Sequence, residues 1–379
     1  MTDAGIQGTC DAQFEAVREA FTKNFENESD IGASVAVYLE GEPVVDLWGG
    51  WADEERTIPW ERDSITNVWS TSKTMTNLCA LILADQGEID VHAPVAKYWP
   101  EFAANDKGRI EVRHLLSHTA GLAGWEEPID VEDLYDWEKA TGLLAAQKPW
   151  WEPGTASGYH AVTQGYLVGE VVRRVTGQSL GTFFAKEVAD PLGGEFFIGL
   201  PEEEDHRTVP VIPPKTPLLE QATIDNQLLL KTFTNPLLNP AICWEDDWRR
   251  AEIPAANGQS NARGVGAIQS IVSNLGEARG VRLLSTKGLD VIFEEQSNGE
   301  DLVLGVPIRF GIGYGLGNEM VPLGPRACFW GGLGGSLVIS DLDARLTIAY
   351  VMNRMETGLL GDTRGMSLVL AAVSGLAQG

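Results

Sequence analysis

The period of hydrophobic and polar positions changes along the chain, and each change marks an element. Residues 12–27 repeat at helical spacing and predict an amphipathic helix. In IGASVAVYLEGEPVVDLWGG, residues 31–50, two apolar runs flank Glu40-Gly41-Glu42-Pro43, which predicts an antiparallel hairpin. The period becomes helical again from about Ser70 to Leu83, and breaks of the DPLGG type separate further helical segments up to about residue 200. Residues 201–250 are rich in Pro and acidic side chains without a clean period, so long ordered loops with a short helix are expected there. From about residue 306 short strands return as IRFGIGYGL, ACFW, SLVISD and RLTIAYVMN, and an apolar helix from Met366 to Leu376 closes the chain. Strands at both ends with helices between them predict a mixed α/β (α+β) protein. Residues 1–65 and 265–379 would build one sheet domain, with a mainly helical domain, 66–264, inserted. There is no internal repeat and no low-complexity segment.

Composition narrows the classes of function. With 379 residues, 44% of them hydrophobic, a sizeable core is available. Against 54 acidic residues stand only 28 basic ones, a net charge of −26. A nucleic-acid binder needs a basic face to displace phosphate counterions, so nucleic acid is excluded as a partner, and an acidic membrane surface would repel the chain. The acidity is read as solubility, with salt tolerance as a corollary. No stretch reaches the ~20 apolar residues of a membrane span, and MTDAGIQGTCDAQFEAVREAF lacks the basic start and apolar run of a signal peptide, so a cytoplasmic location is expected. Cys10, Cys79, Cys243 and Cys328 lie far apart, without metal spacing, and read as free thiols of a reducing compartment.

Candidate chemistry begins at Ser70-Thr71-Ser72-Lys73. Three residues are nearly one helical turn, so Ser70 and Lys73 share a face, and a serine at a helix N-terminus has backbone N–H groups placed to hold an oxyanion. Desolvation favours the neutral form of a buried lysine, which then serves as a base toward the serine. With 17 serines and 10 lysines, chance alone supplies roughly 0.4–0.5 such SxxK matches, so the other segments decide. KPWWEPGTASGYHAVTQGYLVGEVVRRVTG sets Tyr159 after a Pro/Gly-rich loop and before a long helix. RHLLSHTAGL carries His114 and His118. CFWGGLGGSLVISD puts Trp330-Gly331-Gly332 on a strand rim, where glycines permit close backbone approach.

With these motifs in order, from about residue 12 to the C-terminus, the chain resembles the serine β-lactamase/DD-peptidase superfamily, and most of all its class C-like carboxylesterases, the family VIII esterases. The resemblance implies a β-lactamase/transpeptidase-like fold, an antiparallel sheet flanked by helices, with the active site in the cleft against the inserted helical domain. It implies that Ser70 is the acylated nucleophile, with Lys73 and Tyr159 as proton-transfer groups. The oxyanion would be held by the backbone N–H groups of Ser70 and Leu333, and Trp330, Gly331 and Gly332 would border the substrate. His118 is read as scaffold. No metal or organic cofactor is implied, and the expected partner is a small-molecule ester.

Two departures from the family pattern bear on substrate. The YxN motif reads Tyr159-His160-Ala161, so the amide that would hold a substrate amide is missing. Trp330 replaces the cation of the Lys-Thr-Gly segment, and an indole cannot make a charge-assisted bond to a lactam or peptide carboxylate. Both point toward neutral, fairly apolar esters. Amidase, peptidase or weak β-lactamase activity on the same scaffold is one alternative, acyltransferase activity a second, and a non-catalytic binding protein a third. Six tryptophans (Trp125, Trp137, Trp150, Trp151, Trp244, Trp248) fall in the inserted region and would accept hydrocarbon groups if they lined the cleft. The sequence leaves open the natural ester, which of Lys73 and Tyr159 is the base, hydrolysis against acyl transfer, and the oligomeric state.

Other patterns read as structural. Gly177-Gln178-Ser179-Leu180-Gly181 fits GxSxG, but a helix precedes it where that motif needs a strand, so Ser179 is expected to cap the following helix, and only His206 follows as a possible base. His114 and His118 are four apart, yet Leu115 stands where a metalloprotease has Glu. The acidic run 201–206 is expected to be solvated loop surface.

Overall fold

The computed structural model describes residues 5–215, 225–358 and 361–377. Nine antiparallel strands form one sheet: β1 (Gln7–Cys10), β2 (Gly32–Leu39), β3 (Glu42–Gly50), β4 (Ser297–Glu300), β5 (Pro307–Phe310), β6 (Gly315–Leu316), β7 (Ala327–Gly331), β8 (Leu337–Asp341) and β9 (Leu346–Met352). Their order is β1-β3-β2-β9-β8-β7-β6-β5-β4. The ends of the chain meet in the middle, where β2 pairs with β9 from Leu39↔Leu346 to Ala33↔Met352. These central strands are buried on both faces, which explains why they read as continuous apolar runs rather than as alternation.

Helices cover both faces. On one, α1 (Glu15–Glu26) packs against the C-terminal helix Thr363–Leu376, whose Gly365 sits over Leu337 and Tyr350. On the other lies the Ala262–Ser273 helix, with Gly266 against the Tyr38 ring and Ala349. This last helix runs through residue 265, the expected domain boundary, and its packing joins it to the sheet. Against this layer sits α2 (Ser72–Asp85), buried at every position from Ser72 to Leu83, and next to it α3 (Thr163–Thr176). The C-terminal half of α2, Leu78 to Ala84, is apolar all round, as suits a core helix, while the polar residues of its first turns are buried beside Ser70. A small sheet of Thr66–Asn67, Gln259–Ser260 and Phe196–Phe197 leads the chain into α2.

The elements expected from periodicity are present, and others accompany them, among them a short hairpin of Glu277–Ala278 and Val281–Arg282. The 12–27 segment begins as a 3-10 turn, Ala12–Phe14, before α1. The edge strands β1 and β4 are polar and largely exposed, so they carry no apolar pattern to be read. All four cysteines are unpaired, three of them buried. Among the described residues no helix is long and apolar enough to cross a membrane.

Candidate active site

Ser70 lies in a 3-10 turn, Trp69–Thr71, that opens α2. Trp69, just before it, has φ of +49°, a left-handed conformation that a bulky residue adopts at a cost of roughly 1–3 kcal/mol. Several contacts hold the turn. The Val68 N–H donates to Gly258 O at 2.9 Å, Ser72 Oγ donates to Trp69 O at 2.5 Å, and the Trp69 ring packs on Trp248. The sharp bend leaves Ser70 half-buried at the rim of a cavity while its neighbours Trp69, Thr71 and Ser72 are buried.

Lys73 Nζ stands 3.1 Å from Ser70 Oγ, 2.6 Å from Ala161 O and 3.0 Å from Ala255 O. Both carbonyls can only accept, so each takes a proton from Nζ, and in the neutral amine the lone pair is then the position left for the serine hydroxyl. The side chain is 1% exposed, and burial alone holds its pKa well below the ordinary lysine range, with no carboxylate opposing it. Tyr159 Oη donates to Ser70 Oγ at 2.6 Å, and burial pushes the phenol well above its ordinary pKa, so it rests protonated. Ser70 Oγ thus lies between two partners, Tyr159 Oη and Lys73 Nζ.

Tyr159 is held from behind. Its backbone N–H donates to the buried Asp301 carboxylate at 3.0 Å, and its ring packs on His118 and Trp330. His160 donates from Nδ1 to Gly158 O at 2.6 Å and accepts the Leu122 N–H at Nε2, 3.0 Å, which fixes one neutral tautomer; burial takes its pKa down to about 3. His118 Nδ1 accepts the His160 N–H at 3.1 Å, and burial likewise holds this ring neutral. Both histidines support the tyrosine. His114 caps a short helix by accepting the Glu111 N–H, so the two histidines of RHLLSHTAGL do not converge on one point. Among the described residues no group of three or more His, Cys, Asp or Glu is arranged to hold a metal ion.

The segment Trp330 to Ser336 ends β7 and turns toward Ser70. A side chain at Gly332 would place its Cβ 2.2 Å from Val68 O, so only glycine permits the approach. The N–H groups of Gly332, Gly334 and Gly335 are hydrogen-bonded, whereas that of Leu333 has no partner among the described residues. Leu333 and Ser70 line the same cavity, of about 70 Å³, together with Tyr159, Ala161 and the apolar side chains Trp69, Val162, Phe233, Pro236 and Leu238. Among the described residues none that lines it is charged. Trp330 is 2% exposed, stacked behind Tyr159 between His118 and Phe310, and is not part of this lining, so its place is support for the tyrosine.

Sequence reasoning missed the wall from Thr232 to Leu238, which begins in the last turn of the helix Gln227–Thr234 and continues past it, within the stretch that has no clean period. The apolar run Leu228-Leu229-Leu230 was its one signal. The six tryptophans do not line the cavity: each commits its indole N–H within the protein, to Ala140 O, Glu170, Glu126, Ala156 O, Val211 O and Asn67 respectively. Ser179 caps the helix that follows it by accepting the Thr182 N–H. The acidic run 201–206 forms a 3-10 turn whose Glu204 and Asp205 pair with Arg207, Arg249 and Arg250.

A serine hydroxyl between a desolvated amine and a phenol, at the mouth of an apolar cavity, is the constellation of a hydrolase that works through a serine nucleophile. The Beta-lactamase family model matches residues 21–372, and the chain belongs to that family. It is 35% identical to the esterase/beta-lactamase LipL of Mycobacterium tuberculosis over 94% of this chain and 86% of the relative. Among solved structures, a family VIII carboxylesterase superposes with a TM-score of 0.93 at 43% identity, covering 98% of this chain and 99% of the other. A penicillin-binding protein homolog from Caulobacter crescentus gives 0.88 at 34% identity, with the same coverage.

Proposed function

We propose that the protein is a serine carboxylesterase that hydrolyses neutral, fairly apolar esters through an acyl-enzyme on Ser70. The observation that carries this reading is the Ser70 hydroxyl 3.1 Å from a desolvated Lys73 amine, beside a cavity without a charged side chain. Lys73 accepts the serine proton as Ser70 Oγ attacks the ester carbonyl. Tyr159, protonated at rest, passes a proton toward the leaving alcohol and is recharged through Lys73. The N–H groups of Ser70 and Leu333 stabilise the tetrahedral oxyanion, a contribution typically worth ~3–4 kcal/mol per donor. Water then attacks the acyl-enzyme by the reverse sequence, and no step calls on a cofactor. The esterase and carboxylesterase names of the relatives support the reaction class.

A lactam or peptide carboxylate would enter the cavity without a cation to meet it, at a substantial desolvation cost. The β-lactamase half of the LipL name and the penicillin-binding homolog make lactam cleavage the second reading. Stopped-flow release of p-nitrophenol from p-nitrophenyl acetate and butyrate, with nitrocefin alongside, separates the two. The expected result is ester turnover that Ser70→Ala abolishes. Nitrocefin cleaved faster than either ester would reverse the substrate assignment.

A further inference from the structure

The two N–H groups assigned to the oxyanion belong to segments 263 positions apart in sequence, Ser70 and Leu333, and one buried hydroxyl joins those segments. Ser336 is 1% exposed. Its Oγ donates to Val68 O at 2.8 Å, which uses its only proton, so the hydroxyl of Thr71, 2.9 Å away, is the donor in their mutual bond. Val68 and Thr71 bracket Ser70, and Ser336 therefore grips the nucleophile turn on both sides. Its backbone closes the other turn, accepting the Gly332 N–H at 2.8 Å, while the Gly335 N–H donates to Gly332 O at 3.1 Å. Leu333 sits inside that closed turn, and its N–H has no partner among the described residues.

We infer that Ser336 is a positioning residue that sets the separation of the Ser70 and Leu333 donors and so tunes oxyanion stabilisation. The inference rests on the proposed function, which makes those N–H groups the oxyanion hole. Ser336 touches no substrate. Its effect falls on the transition state, because the donors serve charge that is absent from the ground state.

The test uses Ser336→Ala and the shape-conserving Thr71→Val, assayed with p-nitrophenyl acetate, and with butylboronic acid as a tetrahedral mimic that bonds to the serine oxygen. A displacement of a reacting group by about 1 Å loses on the order of 100-fold in rate. The expected result is a 10- to 100-fold fall in kcat for Ser336→Ala, a smaller fall for Thr71→Val, KM changed by less than about threefold, and boronate affinity weakened in step with kcat. Thr71→Ser, which keeps the hydroxyl, is expected to recover most of the loss. Wild-type kcat and boronate affinity in both variants, with only the melting temperature lowered, would reduce Ser336 to a packing residue and overturn the inference. Full turnover by Ser70→Ala would instead overturn the parent reading, so the two failures are distinguishable.

Discussion

Replacing Lys73 by methionine asks whether the amine is neutral before substrate arrives. In an unfolded chain this lysine holds a proton below its ordinary pKa of 10.5, whereas in the fold burial keeps it neutral down to its depressed value. Between those two pKa values the unfolded state binds one more proton than the native state, so stability rises with pH, by about 1.4 kcal/mol per unit for this one group. For 379 residues the unfolding entropy is about 0.8 kcal/mol per kelvin, at ~2.1 cal/mol/K per residue, so the slope becomes just under 2 °C per pH unit. A thioether in place of the amine does not titrate. The melting-temperature difference, wild type minus Lys73→Met, should therefore climb by about 3.5 °C from pH 6.5 to 8.5 in differential scanning calorimetry.

Only the slope is diagnostic. The variant also strips Ala161 O and Ala255 O of their donor, and each buried carbonyl left unpaired costs about 1–3 kcal/mol, an offset independent of pH. Loss of the base should lower kcat by about 10²–10⁴-fold in the same preparation. A flat temperature difference across this range would mean that native Lys73 is an ammonium, and the assignment of Lys73 as base would fall with it.

Two further outcomes follow from packing. Phe233→Ala should open the apolar wall of the cavity and raise the p-nitrophenyl hexanoate to acetate ratio of kcat/KM by about tenfold, the scale of one or two methylenes in a hydrophobic pocket; an unchanged ratio would place the acyl chain elsewhere. Arg364, 3% exposed, bonds Asp30 at 3.0 Å, Asp362 at 2.6 Å and Gly334 O at 2.7 Å, so Arg364→Leu leaves two carboxylates without their cation and should cost about 3–5 kcal/mol, or ~4–6 °C in melting temperature. A loss below 1 °C would show that the network contributes little to stability.

What the sequence disclosed followed how strongly burial marks a segment. Runs such as SLVISD and RLTIAYVMN are strands covered on both faces, and α2 is a helix covered all round, so their apolar patterns were unambiguous. The three-residue spacing of Ser70 and Lys73 on a helix was a weak signal by itself, and Tyr159 joined them only through the family resemblance; the fold brings the three side chains within hydrogen-bond reach. The cavity wall was not legible, because Phe233, Pro236 and Leu238 gain their meaning only when a stretch without a period folds back across the serine. Trp330 illustrates the opposite error. Its motif position suggested contact with substrate, yet its bulk is spent on holding His118 and Tyr159 in place. The tryptophans of the insertion misled for the same reason: aromatic content locates a core as readily as a pocket, and each indole N–H here is already bonded within the protein.

The chain and its site have different electrostatics, and the difference bears on substrate. A net charge of −26 lies on the surface, where physiological salt screens it over about 8 Å. Inside, burial pushes the Lys73 pKa well down and that of Tyr159 up, and it lowers those of His118 and His160, so desolvation opposes charge on each of these side chains near Ser70. An anionic substrate is opposed twice, by the surface it must approach and by a cavity with no cation. A neutral ester meets neither obstacle, and negative charge first arises there at the carbonyl oxygen in the transition state. Fixed N–H dipoles in an apolar cavity act most strongly on charge that forms in place rather than on charge brought in from water. On the proposed function, the acidity of the chain and the uncharged cavity lining would favour the same neutral esters, by independent means.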